Sequence, residues 1–408
     1  MKIIVYPHDL SIGGSQINAI DLAAEIRSFG HDTLIYAIPG PLVEYVREKG
    51  LRFVPAHPLS VRPGPTRILE LARLARREQA DIIHAYEWPP CLDAYFGAHL
   101  LGRTRLVCTV LSMGLMPLVP STVPLLMGTK QLRESALADR GGIVEVLEPP
   151  IDTVGDHPEL EGSEFRRAHG VEDDELLVVI VSRLAIDLKL DSLVRAIDSV
   201  SVLANTYPVR LVIVGGGEAE QQLRKRADGV NQAHGRTVIQ IPGPTLDPRS
   251  AYASADVVLG MGSSALRAMA IGKPLVVQGE RGFSKVLELE SFPLFDWQGF
   301  YGIGDDQRHN DLLVAQLESL LKDAALRAEL GSYGRQVVVD RYSLGDAVTR
   351  LNGIYKTVMA PSKRLSCIPE ALGIGFRAAV NETRLHSPTF KRTRSVDRER
   401  RLTAAAGG

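Results

Sequence analysis

The feature that most constrains the fold is an alternation of short apolar runs and amphipathic segments that occurs twice along the chain. The first series starts at Lys2–Tyr6 and continues to Leu106–Val110, and the second starts at Leu176–Ser182 and continues to Leu275–Val277. Apolar runs of this length, separated by helical patterns, are typical of βαβ units built on parallel sheets. The sequence therefore predicts an α/β protein with two doubly wound domains.

The boundary between the two domains is predicted from the segment that separates the two series. Residues around Ile151–Gly170 are acidic and contain no strand pattern. We therefore assign residues 1–155 to a first domain and residues 156–345 to a second. Residues 346–360 have the length and spacing of a final helix, which we expect to cross back to the first domain.

The end of the chain has a different composition. Lys391–Arg401 is rich in arginine and is followed by alanines and glycines, which do not favour a buried core. We expect residues 361–408 to form an extension that is largely disordered. Its positive charge suits anionic lipid or an acidic partner, although a solvated tail is the preferred interpretation.

Composition excludes several classes of protein. The chain has 408 residues, of which 45% are hydrophobic and 23% charged, so it can bury sizeable cores. A formal net charge of -1 provides no general attraction for nucleic acid.

Cys91, Cys108 and Cys367 form no CxxC pair, and no Asp-x-Asp follows a strand, so neither a zinc cluster nor another metal site is expected. With neither a signal peptide nor a membrane-spanning run, we expect a cytoplasmic protein, with at most weak peripheral contact at the inner membrane face.

Polar and glycine-rich residues follow three strands of the second series. Arg183 and Lys189 follow the first strand, Gly215-Gly216-Gly217 follows the second, and Gly262-Ser263-Ser264 opens a helix after a third. An open parallel sheet binds ligands at such strand ends, and two cations with a helix N-terminus suit a diphosphate. Two alternatives remain open: a surface pair of cations, and a tight turn that binds nothing.

Five motifs carry a family resemblance over about residues 1–360. They are Gly13-Gly14-Ser15-Gln16 with a later Gly30-His31; Asp81–Tyr86; Val181–Lys189; Val212–Gly217; and Ala255–Val258 with Ala268–Val277. Together they resemble the GT-B fold glycosyltransferases, and within them the large retaining group numbered family four. The resemblance implies two Rossmann-like domains facing a cleft, with acceptor on the first and nucleotide sugar on the second.

The same resemblance implies a reaction. A sugar passes from a nucleoside-diphosphate donor to a hydroxyl acceptor with retention, without a metal or other cofactor. Arg183 and Lys189 then hold the departing diphosphate. The departing phosphate oxygen takes the acceptor proton, so no enzymic nucleophile is needed.

The chain departs from the family pattern at Tyr86, where a histidine is usual, in one extra residue between Arg183 and Lys189, and at two acidic positions. The family's paired glutamates, which bind the donor sugar and the ribose, are both missing. Arg267 stands at the position of the second, and the loop before Ser264 offers no carboxylate for the first. Glu218 or Glu280 is a candidate replacement. We expect Arg267 either to bind a phosphate, to bind a carboxylate-bearing sugar, or to make a fold-stabilising contact with Glu280.

Other residues complete the predicted site. Gly14 is expected to bring backbone close to the phosphate or the acceptor, while His84 is expected in the core. Tyr86 and Glu87 are expected to project from the acceptor side, where Glu87 either orients a hydroxyl or is a solvated carboxylate. The loop with Glu280, Gly282 and Ser284 is expected to receive the sugar or its phosphate. The predicted donor-binding set is Gly14, Gly215, Gly217, Glu218, Gly262, Ser263, Ser264, Arg267, Glu280, Gly282 and Ser284, and the predicted catalytic set is Arg183, Lys189, Tyr86 and Glu87.

Two other functions remain open beside the glycosyltransferase. The missing glutamates also suit a protein that binds nucleotide sugar without catalysis. An epimerase or hydrolase on the same architecture needs acid and base carboxylates, for which Glu87, Glu218 and Glu280 are candidates. The sequence does not identify the acceptor, which can be a lipid-linked glycan, a polysaccharide end or a small natural product.

Overall fold

The structure is a computed structural model that describes residues 1–59, 63–102, 104–112, 114–305, 310–360 and 368–386. The predicted tail segment Lys391–Arg401 and the third cysteine, Cys367, lie outside the described residues. The described chain divides into two compact units. The first comprises Met1–Pro150 together with the helices from Leu344 onward, and the second comprises Ile151–Ser343.

The first unit contains a seven-stranded parallel sheet. Its strands are β1 (Lys2–Tyr6), β2 (Asp32–Ala37), β3 (Arg52–Pro55), β4 (Ile82–Tyr86), β5 (Arg105–Val110), β6 (Leu125–Met127) and β7 (Val144–Val146), in the order β3-β2-β1-β4-β5-β6-β7. The helices between them are α1 (Gly14–Glu25), α2 (Val43–Glu48), α3 (Pro65–Glu78), α4 (Trp88–Ala94) and α5 (Lys130–Asp139). The strand order reverses direction between β1 and β4, which is the arrangement of a doubly wound domain.

The second unit repeats this topology with six strands. They are β8 (Leu176–Val181), β9 (Val209–Val214), β10 (Ile239–Gly243), β11 (Val257–Gly260), β12 (Leu275–Gln278) and β13 (Ser284–Val286), in the order β10-β9-β8-β11-β12-β13 with β13 antiparallel. The helices are α6 (Ser163–Ala168), α7 (Leu190–Leu203), α8 (Glu220–His234), α9 (Arg249–Ser254), α10 (Ser263–Ala270), α11 (Phe292–Gln298), α12 (Asp311–Lys322) and α13 (Ala324–Arg341). Two doubly wound α/β domains are therefore confirmed.

Both sheets are buried on both faces, which explains why their strands read as continuous apolar runs. In β8, Val178 and Ile180 pack into one core while Leu177 and Val179 pack into the opposite one. The sequence pattern does not predict β6 and β13, because each is only three residues long. A three-residue run is too short to show a period.

The last two helices belong to the first unit. Helix α14 (Leu344–Met359) buries Leu351 and Tyr355 in the first-unit core, and α15 (Ile368–His386) buries Ile374 on the other side of the same sheet. The sequence predicts a largely disordered extension from residue 361, whereas residues 368–386 form α15 in the structure. Gly373 and Gly375 lower the helix propensity of this segment and hide its pattern. The unit boundary lies at Pro150 and Ile151, not at residue 155.

Two further expectations concern cysteines and membranes. Cys91 and Cys108 are buried free thiols, and their mutual hydrogen bond, together with burial, raises the pKa of Cys108. Within the described ranges, no helix combines the length and the apolarity that crossing a bilayer requires.

Candidate functional site

In the second unit, the strand order reverses between β8 and β11, and the residues that follow these two strands form the candidate site. Ser182 and Arg183 follow β8, and Met261 and Gly262 follow β11. In open α/β sheets, ligands bind at the carboxyl ends of the strands on either side of such a reversal. The fold therefore places the predicted cation Arg183 and the start of α10 at the same ligand-binding edge.

The glycine turn after β9 is required by backbone packing. A Cβ atom on Gly215 would lie 1.8 Å from the carbonyl oxygen of Ser182, and one on Gly217 would lie 2.5 Å from that of Leu184. Both glycines also have positive φ, 155° and 154°. The turn thus lets the β9–α8 connection pack directly against the segment that carries Arg183. Contact of these two glycines with a donor remains a prediction.

Arg183 lies close enough to Lys189 to affect the charge of the lysine. Burial, together with the positive charge of Arg183, lowers the pKa of Lys189 to about 8, and Glu280 partly opposes this shift. Within the described part of the chain, neither cation forms an ion pair within 4.0 Å. Leu188, just before the lysine, has a φ of 68°, a conformation that non-glycine residues rarely adopt. The structure therefore holds two like charges side by side with incomplete compensation.

Glu280 lies two residues after β12, and its negative charge acts on Lys189. Its carboxylate is hydrogen-bonded to Tyr301, and burial and the carboxylate raise the pKa of that tyrosine to about 12. The backbone of Glu280 is fixed on both sides, by bonds with Gly302 (2.9 Å) and Gly304 (2.9 Å). Of the two candidate replacement carboxylates, Glu280 is therefore the one whose charge acts on Lys189. Glu218, by contrast, is exposed on the turn before α8.

In the loop after Glu280, two residues have positive φ, and one backbone amide is already hydrogen-bonded within the protein. Arg281 and Gly282 have φ values of 54° and 85°. The Gly282 amide donates to Asp191 on α7 across 3.1 Å. Ser284 is buried as the first residue of β13. The Ser284 hydroxyl is buried and has no hydrogen-bond partner among the described residues, and the prediction that the loop amides and Ser284 receive the sugar or its phosphate stays a prediction.

Helix α7 contributes two residues that sequence reasoning missed. Asp191 bonds the Gly282 amide, and Arg195 donates from Nη1 to the carbonyl oxygen of Phe283 across 3.3 Å. Arg195 is 5% exposed, and its Nε and Nη2 atoms have no hydrogen-bond partner among the described residues. These side chains are one helical turn apart, but that spacing indicates contacts within one helix, so no local signal in the sequence links them to the loop.

Helix α10 presents its N-terminus at the edge that holds Arg183. Gly262 precedes the helix with a φ of 59°, and no side chain caps the first turn. The amides of the first turn of a helix lack intrahelical acceptors, so those following Gly262 are able to bind an anion. Ser263 is partly exposed, while the Ser264 hydroxyl accepts a 2.9 Å bond from the buried Tyr252.

Arg267 has a different partner from the ones we predicted. Its Nε donates to Oδ2 of Asp156 across 2.9 Å, and Asp156 is completely buried. Nε of Arg249 donates to the other carboxylate oxygen, also across 2.9 Å. Arg267 therefore pairs with Asp156, which sequence analysis did not single out, while its contact with a phosphate, a carboxylate-bearing sugar or Glu280 remains a prediction. A buried carboxylate requires such partners, because desolvation penalises its charge.

In the first unit, the loop between β1 and α1 is organised by Asp9. Its Oδ1 accepts bonds from the amide and hydroxyl of Ser11, at 3.0 and 2.5 Å, and from Gln16 at 3.3 Å. A hydrogen bond with His8, followed by the two bonds from Ser11, holds the pKa of Asp9 well below its usual value. Gly14 is exposed as the first residue of α1. Its contact with phosphate or acceptor remains a prediction.

Tyr86 is 2% exposed and lies in the first-unit core. Its ring stacks on His84 with centroids 4.7 Å apart, and burial raises its pKa well above the usual value. The prediction that Tyr86 projects toward an acceptor is therefore wrong. As expected, His84 is a core residue: its ring nitrogens bond Tyr355 and Thr109, and burial lowers its pKa to about 3.

Glu87 has a φ of 69° and ties the end of β4 to the segment after β5. Its Oε1 accepts from the amides of Leu111 (2.8 Å) and Ser112 (3.0 Å), and Oε2 accepts from the Ser112 hydroxyl (2.8 Å). The carboxylate is thus not simply solvated, while its orientation of an acceptor or sugar hydroxyl remains a prediction. It holds the loop by three bonds.

Comparison with known proteins agrees with this architecture. Residues 162–337 match the family model of the glycosyl transferases group 1, and residues 12–126 match that of Glycosyltransferase Family 4. A curated relative, the uncharacterized glycosyltransferase MJ1607 of Methanocaldococcus jannaschii, is 27% identical over 202 residues. The match covers 48% of this chain and 48% of that protein, so the chain matches about half the length of this relative.

Two solved structures extend the comparison to nearly the whole chain. A glycosyltransferase from Rickettsia africae has a TM-score of 0.71 at 15% identity, covering 88% of this chain and 99% of its own. Anabaena Alr3699/HepE, solved in complex with UDP-glucose, has a TM-score of 0.69 at 16% identity, covering 88% of this chain and 100% of its own. The protein therefore has the two-domain Rossmann-like GT-B fold, and its two matched segments are similar to glycosyltransferase domains.

Proposed function

We propose that the protein transfers a sugar from a nucleoside-diphosphate donor to a hydroxyl acceptor, with retention of configuration and without a metal ion. The observation that carries the proposal is the pair Arg183 and Lys189. Two like charges lie together at the ligand-binding edge of the second sheet, and Lys189 has its pKa lowered to about 8. Burial and the neighbouring cation disfavour the positive charge of Lys189, and a bound anion would favour it.

The reaction makes use of these charges as the donor bond breaks. The bond between the anomeric carbon and a phosphate oxygen lengthens, so negative charge accumulates on the departing diphosphate. Arg183 binds phosphate oxygens as a planar fork, and Lys189 adds a compact charge. The first-turn amides of α10 add fixed dipoles, so the leaving group is stabilised more in the transition state than in the ground state.

Retention follows if the acceptor attacks from the face that the diphosphate leaves. The acceptor oxygen forms the new bond to the anomeric carbon, and its proton passes to the departing phosphate oxygen. No protein carboxylate has to act as a nucleophile. We propose that Glu280, braced by Tyr301, replaces one missing glutamate by accepting hydrogen bonds from donor hydroxyls.

Uridine diphosphate is the first nucleotide to test, because the Anabaena protein of similar fold was solved with UDP-glucose. Calorimetric titration of UDP into the wild-type protein and into Arg183→Ala and Lys189→Ala tests the binding step. Loss of one charge-assisted contact should weaken binding by about tenfold to a hundredfold. Lys225→Ala removes an exposed cation of α8 in the same unit and should leave binding unchanged.

Transfer is tested by incubating the protein with UDP-sugars and a cellular glycan and lipid extract, with and without EDTA. Labelled product that resists EDTA and shows the donor's anomeric configuration by NMR supports the proposal. Nucleotide binding without transfer to any acceptor would favour the non-catalytic alternative. Free nucleotide and altered sugar without an acceptor would favour an epimerase or hydrolase, and failure to bind any nucleoside diphosphate would refute the donor assignment.

A further inference from the structure

Helix α15 is fixed to the first unit by its inner face. Ile374 and Ala378 are 0% and 1% exposed and belong to the first-unit core. Near the helix start, the Glu370 carboxylate accepts a 2.6 Å bond from the Ser121 amide and a 2.5 Å bond from the Thr122 hydroxyl. These contacts fix both the position of the helix and its rotation about its own axis.

The outer face of α15 is apolar. Leu372, Phe376 and Val380 are 73%, 72% and 52% exposed, and their spacing of four residues places them in one row along the helix. Between residues 369 and 383, the exposed positions carry one charged side chain, Arg377, and no carboxylate. A row of large apolar side chains facing water is characteristic of a binding surface, since single exposed apolar residues are normally scattered.

The sequence around this helix is strongly basic. Residues 361–408 contain ten Lys or Arg and four Asp or Glu, which gives this segment a net charge of +6. The whole chain has a formal net charge of -1, so residues 1–360 carry -7. Positive charge is therefore concentrated in the part of the sequence that contains the apolar row.

We propose that α15 lies flat on an anionic lipid surface, with Leu372, Phe376 and Val380 inserted at the level of the headgroups. An apolar row flanked by basic residues suits a surface that is negative outside and apolar beneath. A second copy of the chain suits it less, because a symmetric contact through this face would bring two segments of charge +6 together. The inference is independent of the proposed catalytic function.

The test is co-sedimentation of the full chain with vesicles of phosphatidylcholine containing about 30% phosphatidylglycerol, compared with vesicles of phosphatidylcholine alone. The wild type should bind the anionic vesicles, and added salt should weaken binding. The double variant Leu372→Ser with Phe376→Ser should bind at least about tenfold more weakly, because two apolar side chains no longer insert. Val202→Ser on α7 is the matched control, since Val202 is also exposed, at 54%, but lies in the second unit.

The thermal unfolding midpoint and UDP binding of the double variant should equal those of the wild type, which separates this surface from the donor site. Equal vesicle binding by the double variant and the wild type would overturn the proposal. No wild-type binding to anionic vesicles would also overturn it. A dimer in solution that the double variant dissociates would assign the face to a second copy instead.

Discussion

Arg267 donates from Nε to the buried carboxylate of Asp156 across 2.9 Å, at the position where the family it resembles has a glutamate. Arg249 holds the second oxygen of the same carboxylate. Arg335 from α13 bonds the Asp156 carbonyl and that of Ala270, both within 2.9 Å. The start of the second unit is thus fastened to the last turn of α10, whose N-terminus lies at the candidate site.

Replacing Arg267 with glutamate should destabilise the protein and should not restore a donor contact. The change removes one partner of Asp156 and places a second carboxylate beside it. We expect the free energy of unfolding in urea to fall by about 3 to 5 kcal/mol. Arg224→Ala breaks an exposed pair with Glu220 and should cost only about 0.3 to 0.5 kcal/mol. A stable Arg267→Glu protein with tighter UDP binding would contradict this assignment.

Nucleotide binding should take up protons when Lys189 is partly neutral. The pKa of Lys189 is lowered to about 8 in the empty protein, and a bound diphosphate favours the charged form. Calorimetry of UDP binding at about pH 8.5, in buffers of different ionisation enthalpy, should therefore show net uptake. Lys189→Met should abolish the uptake, and Lys225→Met should preserve it.

The sign of the stability effect follows from the same pKa. Between pH 8 and 10.5, the unfolded chain keeps a proton on Lys189 that the folded chain has lost. The contribution of Lys189 to the free energy of unfolding therefore rises with pH across that window.

In the calorimetry of UDP binding at about pH 8.5, release of protons instead of uptake would contradict the placement of Lys189 against the diphosphate.

Gly215→Ala should lower both stability and nucleotide binding. The new methyl group would lie 1.8 Å from the Ser182 carbonyl oxygen, so the turn and the segment carrying Arg183 must separate. We expect a loss of at least about 2 kcal/mol in the free energy of unfolding. Gly229→Ala is the control: Gly229 lies within α8 with no atom near a new Cβ, and the change should stabilise by about 0.5 to 1 kcal/mol. If Gly215→Ala leaves both the free energy of unfolding and nucleotide binding unchanged, the close packing of residue 215 against Ser182 is not required.

Arg67→Ala should be among the most damaging changes in the first unit. The Arg67 side chain is 0% exposed, and its Nη1 donates to the Tyr6 hydroxyl across 2.6 Å. That hydroxyl in turn donates to the buried Asp93 across 3.0 Å. Removing the guanidinium leaves a buried carboxylate with less compensation, so the free energy of unfolding should fall by about 3 to 5 kcal/mol.

The control for this change is Arg73→Ala, at an exposed position on the same helix α3, which should alter stability by less than about 0.5 kcal/mol. Similar denaturation midpoints for the two variants would show that the buried network contributes no stability of its own. Circular dichroism during urea unfolding provides the measurement for both.

Much of the fold could be predicted because its elements are long and their periods are local. The second unit's β8 and β9 have six buried or nearly buried residues each, so their apolar runs stand out in the sequence. Arg183 and Lys189 could be identified from their position after such a strand. Tyr86 and Glu87 could not be assigned in the same way. Position after a strand does not say whether a side chain turns into the core or into a hydrogen-bonded loop.

The sequence by itself determined the two α/β domains, the order of their strands along the chain and the cations at the strand ends, because periodicity and glycine placement are properties of neighbouring residues. Only the tertiary structure decided the partners of charged groups far apart in sequence. Asp156 accepts a hydrogen bond from Arg267, 111 residues away in sequence, and Glu370 accepts one from Ser121, 249 residues away. Such pairings depend on how distant helices and loops pack, and no local pattern encodes which carboxylate a buried arginine will face.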